Sequence, residues 1–313
     1  MDFTVIICTY NRKDNLEPCL EKLSQQQGMD GIDWEVLVVD NNSDDGTAEE
    51  IQRLANKLPI TINYASETEQ GLNYARNTGI RESKGRFFSY VDDDIIVSET
   101  WLSSIYETFI NNDADAVGGR IHLDPSIELP RWVYSNPELQ GFLGFQDLGE
   151  EPIRLDGRKN YPYGGNMAFN RRVVEKIGYF NPKLGRKGSG RKRSELFKGA
   201  ETDYFHRLAA AGDAHIFYDP RAIVYHRVEA FQLEKKYFLT IHYNAGYQEA
   251  AHKIEEYGRS LLGVPLFIYP QMARAIYRYI ILTITKGANF SFRQKMTVAH
   301  FLGVFNGYRN KKQ

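Results

Sequence analysis

Short, dense apolar runs alternate with apolar residues at helical spacing through the first 120 residues. Residues 3–8 (Phe-Thr-Val-Ile-Ile-Cys) are β-branched without a polar face, which predicts a fully buried strand of a parallel sheet. Runs of the same kind at 34–39, 60–65 and 87–91 predict three more. Between them Leu16, Leu20 and Leu23, then Ile51 and Leu54, recur one helical turn apart, and a further helix is expected over 74–82. A helix over 99–109 and a strand over 116–120 follow. Strand and helix repeated in this way predict an α/β fold, a mostly parallel sheet flanked by helices.

Polar turns stand behind each strand. Residues 9–12 follow the first and Asp40 ends the second, with a turn-rich stretch over 41–47. Open α/β sheets bind ligands at the carboxyl ends of their strands, where a carboxylate such as Asp40 can accept hydrogen bonds from a ribose or base. Asp40 can equally serve an Asx-turn or helix cap. The fourth strand runs into Asp92-Asp93-Asp94. Three adjacent carboxylates raise each other's cost of ionising, and a hard divalent cation, Mg²⁺ or Mn²⁺, relieves it. The plainer alternative is an acidic surface turn ahead of a helix starting near Ser98.

Downstream, 129–163 is loop-rich and aromatic (Trp132, Tyr134, Phe142, Phe145), suiting a lid or acceptor surface, or simple packing. Residues 183–193 are basic and glycine-rich without an apolar face. Such a loop is expected to be mobile and able to close over a diphosphate, or to be merely solvated. A helix is expected over 231–257, with Tyr237, Phe238, Ile241 and Ala245 on one face. In 261–284, Arg274 and Arg278 fall one turn apart, with Ile276, Tyr277, Ile280, Ile281 and Ile284 on the other side.

Charge changes the picture in its distribution. The 39 Lys and Arg against 40 Asp and Glu give a net charge of -1, which indicates no bulk nucleic-acid binder. Yet the last acid is Glu256, and bases alone follow it, through Lys311 and Lys312. An acid-free amphipathic segment over 261–313 suits an anionic membrane surface, or a helix packed on its own domain. Cys8 and Cys19 show no metal spacing. Two such cysteines, no basic leader and no apolar run long enough to cross a bilayer point to the cytoplasm, with peripheral attachment at the inner membrane face as a further expectation.

Three ordered motifs carry a family resemblance: Thr4-Val5-Ile6-Ile7-Cys8-Thr9-Tyr10-Asn11-Arg12, Val38-Val39-Asp40-Asn41-Asn42-Ser43-Asp44-Asp45-Gly46-Thr47 and Gly71-Leu72-Asn73-Tyr74-Ala75-Arg76-Asn77-Thr78-Gly79. Together they resemble the family 2 glycosyltransferases over roughly residues 1–226. That resemblance implies a GT-A fold with a catalytic domain over 1–228, nucleotide-binding over 1–97 and acceptor-binding over 98–228, ahead of a helical extension over 229–313. It implies that Thr9, Tyr10, Arg12 and Asp40 cradle base and ribose, with Arg76 nearby. It maps the D-x-D element onto Asp92 and Asp94. Asp94 would ligate the metal, Asp92 and Asp93 would face ribose and phosphates, and His226 would add a metal ligand. Gly164-Gly165-Asn166-Met167-Ala168-Phe169 resembles the strand under the donor sugar.

Sugar transfer also needs a base for the acceptor hydroxyl. Gly199-Ala200-Glu201-Thr202-Asp203 matches the family's acidic helix start, although Ala200 stands where the first acid of a pair is usual. Glu201 aligns with the base, and Asp203 is the reserve. Acids in a first helical turn also simply stabilise the dipole. The expected activity is metal-dependent, inverting transfer from a nucleotide sugar, a UDP-sugar by resemblance, to a glycan or lipid-linked acceptor in cell-surface polysaccharide synthesis. A nucleotidyltransferase and a non-catalytic, membrane-associated nucleotide-sugar-binding module are the rivals. The first lacks its glycine-rich basic loop after strand one, and the second needs neither acidic motif.

Overall fold

The computed structural model describes residues 1–251 and 257–310, so Lys311 and Lys312 lie outside the described residues. The chain divides into two compact units. The first comprises Met1–Glu128, Glu138–Ser189 and Gly199–Val228, and the second Leu129–Pro137, Gly190–Lys198 and Glu229–Gln313.

In the first unit β1 (Phe3–Thr9), α1 (Lys13–Leu23), β2 (Trp34–Asp40), α2 (Thr47–Lys57), β3 (Ile62–Ser66), α3 (Leu72–Glu82) and β4 (Phe87–Asp92) alternate as the apolar pattern predicts. Then come β5 (Ile95–Val97), α4 (Trp101–Asn112) and β6 (Ala116–Leu123). After the short helix α5 (Arg131–Tyr134) of the second unit follow β7 (Ile153–Leu155), β8 (Met167–Asn170), α6 (Arg172–Ile177), α7 (Ala200–Ala210) and β9 (Ile216–His226).

One sheet runs β3-β2-β1-β4-β8-β6-β9-β5, with β7 beside β9. The β3-β2-β1-β4 half is parallel throughout. β8 enters antiparallel to both β4 and β6, and β9 lies parallel to β6 but antiparallel to β5. Strand alternation sends Phe3, Val5, Ile7, Val36 and Val38 to one face, under the apolar stripes of α1, α2 and α4. Ile6, Leu37, Val39, Phe88 and Tyr90 go to the other, under α3, α6 and α7. The result is a three-layer α/β/α core.

Register then places the chemistry. Thr9 pairs with Asp40 and Cys8 with Asp92, so the polar ends of three parallel strands share one edge. Cys8 is half-buried there rather than wholly buried.

Two stretches differ from expectation. Ile95-Ile96-Val97 is a strand, not a helix approach, and Asp93 and Asp94 form the tight turn joining β4 to it. Its partner β9 lies some 130 residues away, beyond any local pattern. The aromatic loop contains α5, a 3₁₀ segment (Pro137–Leu143) and β7.

In the second unit α8 (Lys235–Ala251), the hairpin β10 (Ser260–Leu261) and β11 (Val264–Pro265), α9 (Ile268–Lys286) and α10 (Phe292–Arg309) follow. Trp132 of α5 lies edge-on to Phe238 and Phe292, with centroids 5.1 and 4.9 Å away, so this aromatic packs its own unit. Tyr237, Phe238 and Ile241 of α8 are buried, but Ala245 is exposed, because Gly246 lies in the seam. There a Cβ would overlap the carbonyl oxygen of His300 on α10.

Candidate active site

The strand-end loops are braced before any ligand arrives. The Asn41 N–H donates to the Thr9 carbonyl at 2.9 Å, and its side-chain amide donates to the carbonyls of Glu67 and Glu69. The Gly71 N–H closes the set by donating to Asn41 Oδ1 at 2.8 Å. Ser43 Oγ accepts from the Asn11 N–H, and Asn11 Oδ1 accepts from the Asp44 N–H. Asn41 had no role in the sequence reading, although an Asn directly behind a strand-ending Asp is the available signal.

Asp40 is buried and accepts from the Ser43 N–H at 3.0 Å, the Asx-type turn; Tyr64 Oη stands 3.4 Å from its other oxygen. Tyr10 is half-buried on the neighbouring loop. Thr9 Oγ1 donates to Asp93 Oδ2 at 2.7 Å. Arg12 Nη1 reaches both Asp93 Oδ1 (3.2 Å) and Asp94 Oδ2 (3.0 Å). Burial pushes the Asp93 carboxyl up to about 6 against the pull of Arg12. Burial acts on Asp94 too, but His226 and Arg12 override it and hold that carboxyl far below the usual range. Asp92 is raised by burial and by Asp94.

Antiparallel pairing of Ile95 with His226 brings the imidazole to Asp94. His226 Nδ1 lies 2.7 Å from the Leu143 carbonyl oxygen, which only accepts, so Nδ1 carries the proton. Nε2 then stands 3.4 Å from Asp94 Oδ1, a buried oxygen that receives no hydrogen bond. Burial works to lower the His226 pKa, but Asp94 outweighs it and the pKa is raised. An imidazole nitrogen fixed toward an unsatisfied carboxylate oxygen is a donor pair suited to a cation. Among the described residues no three His, Cys, Asp or Glu side chains converge to hold a metal alone. Mg²⁺ ordinarily takes only one or two protein carboxylates and completes its shell with substrate phosphates and water, so Asp94 fits such an ion, while the imidazole suits a softer divalent cation.

The second acid lies across β8. Arg76, almost wholly buried on α3, donates from Nη2 to Glu201 Oε1 at 2.9 Å, with the rings of Tyr90 and Phe180 about its guanidinium. Burial would raise the Glu201 carboxyl, but Arg76 overrides it and holds the pKa below normal. Asp203 instead takes Arg207 Nε at 3.0 Å. Residues two apart on a helix do not share a face, so the two acids point differently. Ala200 is buried, its Cβ 3.4 Å from where a side chain on Gly185 would begin.

Two glycines join the acidic groups. A Cβ on Gly164 would collide with Glu201 Oε1 and lie 2.6 Å from Arg76 Nη2, while one on Gly165 would stand 3.3 Å from Asp92 Oδ2. Adjacent backbone positions thus lie against both acidic groups, a bare backbone floor that a Cβ at either would crowd. Asn166 locks that floor, accepting from Trp101 Nε1 and donating to the carbonyls of Arg120 and Ala222. Behind burial and their nearer charged neighbours, the Arg186 charge of the basic loop also works to lower the pKa of Asp92, Asp94 and Glu201.

The sequence profile of glycosyl transferase family 2 matches residues 4–178, more than half of the chain. This chain belongs to that family. A glucosyl-dolichyl phosphate glucuronosyltransferase of Haloferax volcanii is 23% identical over 257 residues, 80% of this chain and 76% of its own. The mannosyltransferase PcManGT of Pyrobaculum calidifontis, solved with GDP-Man and Mn²⁺, superposes with a TM-score of 0.61 at 17% identity, over 99% of this chain and 88% of that one. TarS 1–349 of S. aureus, solved with UDP-GlcNAc, gives 0.57 at 16% identity, over 99% and 90%. Against a longer TarS chain the match spans 44% of that chain. At such identities the likeness is one of fold, and that fold is GT-A. The glycosyltransferase therefore carries its acidic groups at the carboxyl edge of a GT-A sheet.

Proposed function

We propose that this family 2 glycosyltransferase, acting in the cytoplasm, moves a sugar from a UDP-sugar to a hydroxyl of a glycan or lipid-linked acceptor in cell-surface polysaccharide synthesis. The supporting observation is the glycine floor of 164 and 165, with the Asp92–Asp94 group against one residue and Glu201 against the other. Glycines at these two positions keep the backbone bare between the group that would hold the leaving diphosphate and the base.

Thr9, Tyr10, Arg12 and Asp40 line or brace the nucleotide side, and Asp92 and Asp93 face ribose and phosphate, whereas Arg76, expected there from the sequence, is taken up by Glu201. Asp94 and His226 would hold Mg²⁺ or Mn²⁺, with Asp92 beside them. What the bound ion would supply is positive charge against the departing diphosphate. Glu201 accepts the proton of the acceptor hydroxyl as its oxygen forms a bond to the anomeric carbon. The bond from that carbon to the diphosphate oxygen breaks on the opposite side, so one displacement inverts the centre. Arg76 keeps Glu201 ionised and aimed, and Arg186 adds charge toward the leaving group.

Replacing Glu201 with Gln keeps the shape and removes the base. The turnover rate should fall roughly 100- to 10,000-fold, the usual weight of a general base, with donor affinity unchanged. The companion Asp203→Asn should stay near normal. Near-normal turnover in Glu201→Gln with collapse in Asp203→Asn would hand the role to Asp203.

A further inference from the structure

Of the nineteen residues of α9, only Ile268 and Ala275 are buried. Tyr277, Ile280, Ile281 and Ile284 are 65, 48, 41 and 76% exposed, at the i, i+3, i+4, i+7 spacing of one helical stripe. Helical geometry puts Arg274 and Arg278 along one border of that stripe, and both are exposed. Just before α9, the β10–β11 hairpin presents Leu262 at its tip, 72% exposed and at a positive φ of 53°. Tyr269 Oη of α9 donates to the Leu261 carbonyl at 2.7 Å, which ties the hairpin to the helix. Soluble surfaces seldom leave so much contiguous apolar side chain uncovered.

The charges choose the occupant. No Asp or Glu occurs between 257 and 310. A second copy docking by the same face would bring the arginine borders of two chains together with no acid there to separate them. A bilayer with anionic headgroups offers hydrocarbon to the stripe and negative charge to its border at once. We propose that α9 lies along the surface of an anionic bilayer, with Tyr277, Ile280, Ile281 and Ile284 in the acyl boundary and Leu262 inserted beside them. This rests on, and deepens, the proposed function, because it would hold the enzyme where a lipid-linked acceptor hydroxyl is presented. No described helix is long and apolar enough to cross a membrane, so contact through this helix would be along the surface.

The test is co-sedimentation of the full chain with phosphatidylcholine vesicles, with and without phosphatidylglycerol. The chain should pellet only with the anionic vesicles. Ile280→Asp with Ile284→Asp, and separately Arg274→Glu with Arg278→Glu, should each weaken binding roughly tenfold or more. All four sites are exposed, and nucleotide release in solution should be unchanged in both variants. A wild-type chain left in the supernatant, or variants that pellet like it, would overturn the proposal. So would a dimer, seen by light scattering, that Ile284→Asp dissolves. Vesicle binding without nucleotide release would instead sink the transferase reading and leave the docking intact.

Discussion

In the first unit Asp93, Asp94 and Arg76 are carried almost wholly out of solvent, whereas in the second Tyr277, Ile280 and Ile284 stand in it. Each region reverses the ordinary sorting of side chains, and each reversal costs free energy unless something answers it. Within the first unit most of the answer is internal: Arg12 and Thr9 for Asp93, Arg12 for Asp94 Oδ2, Glu201 for Arg76. One oxygen, Asp94 Oδ1, is left without a donor. On α9 no answer is visible among the described residues. In the function proposed, a cation on the diphosphate answers the first remainder and a lipid surface the second.

The sharpest break of that contrast is Asp94→Ala. Removing the unsatisfied carboxylate should cost about a hundredfold to a thousandfold or more in turnover, the usual weight of a preorganised electrostatic group, and should abolish any response to Mn²⁺ in a nucleotide-release assay. Gly164→Ala comes next. Its methyl would meet Glu201 and Arg76, so turnover should fall at least about tenfold while thermal unfolding shows the fold kept.

The smallest effect is the most diagnostic of how Arg76 serves Glu201. A base with a depressed pKa keeps activity as pH falls, until the pH passes that lowered value. Arg76→Lys retains charge without the fork, so the acidic limb of kcat/KM should move upward toward the ordinary glutamate range. An unmoved limb would make Arg76 structural only. The same sign governs stability: the pair contributes above the ordinary glutamate pKa and is lost as pH falls through the depressed one.

Much of this was legible in the chain. β1, β2 and β4 show themselves as dense β-branched runs, and their register carries Thr9, Asp40 and Asp92 to one edge without further information. The amphipathic stripe of α9 was equally plain, because 3.6-residue periodicity survives exposure. What stayed hidden was non-local. β5 is three residues long and exists through β9; Arg76 meets Glu201 across 125 residues. That Gly164 needs to be glycine follows from two side chains contributed by other elements. Ala245 misled because a face drawn from apolar residues ignores a glycine through which another helix approaches.

The most direct test is nucleotide release from a panel of sugar nucleotides with Mn²⁺, with Mg²⁺ and with EDTA. UDP should be released from one donor, dependent on the metal and lost in Asp94→Ala, if only slowly without acceptor. Donor binding and turnover indifferent both to EDTA and to Asp94→Ala would contradict it.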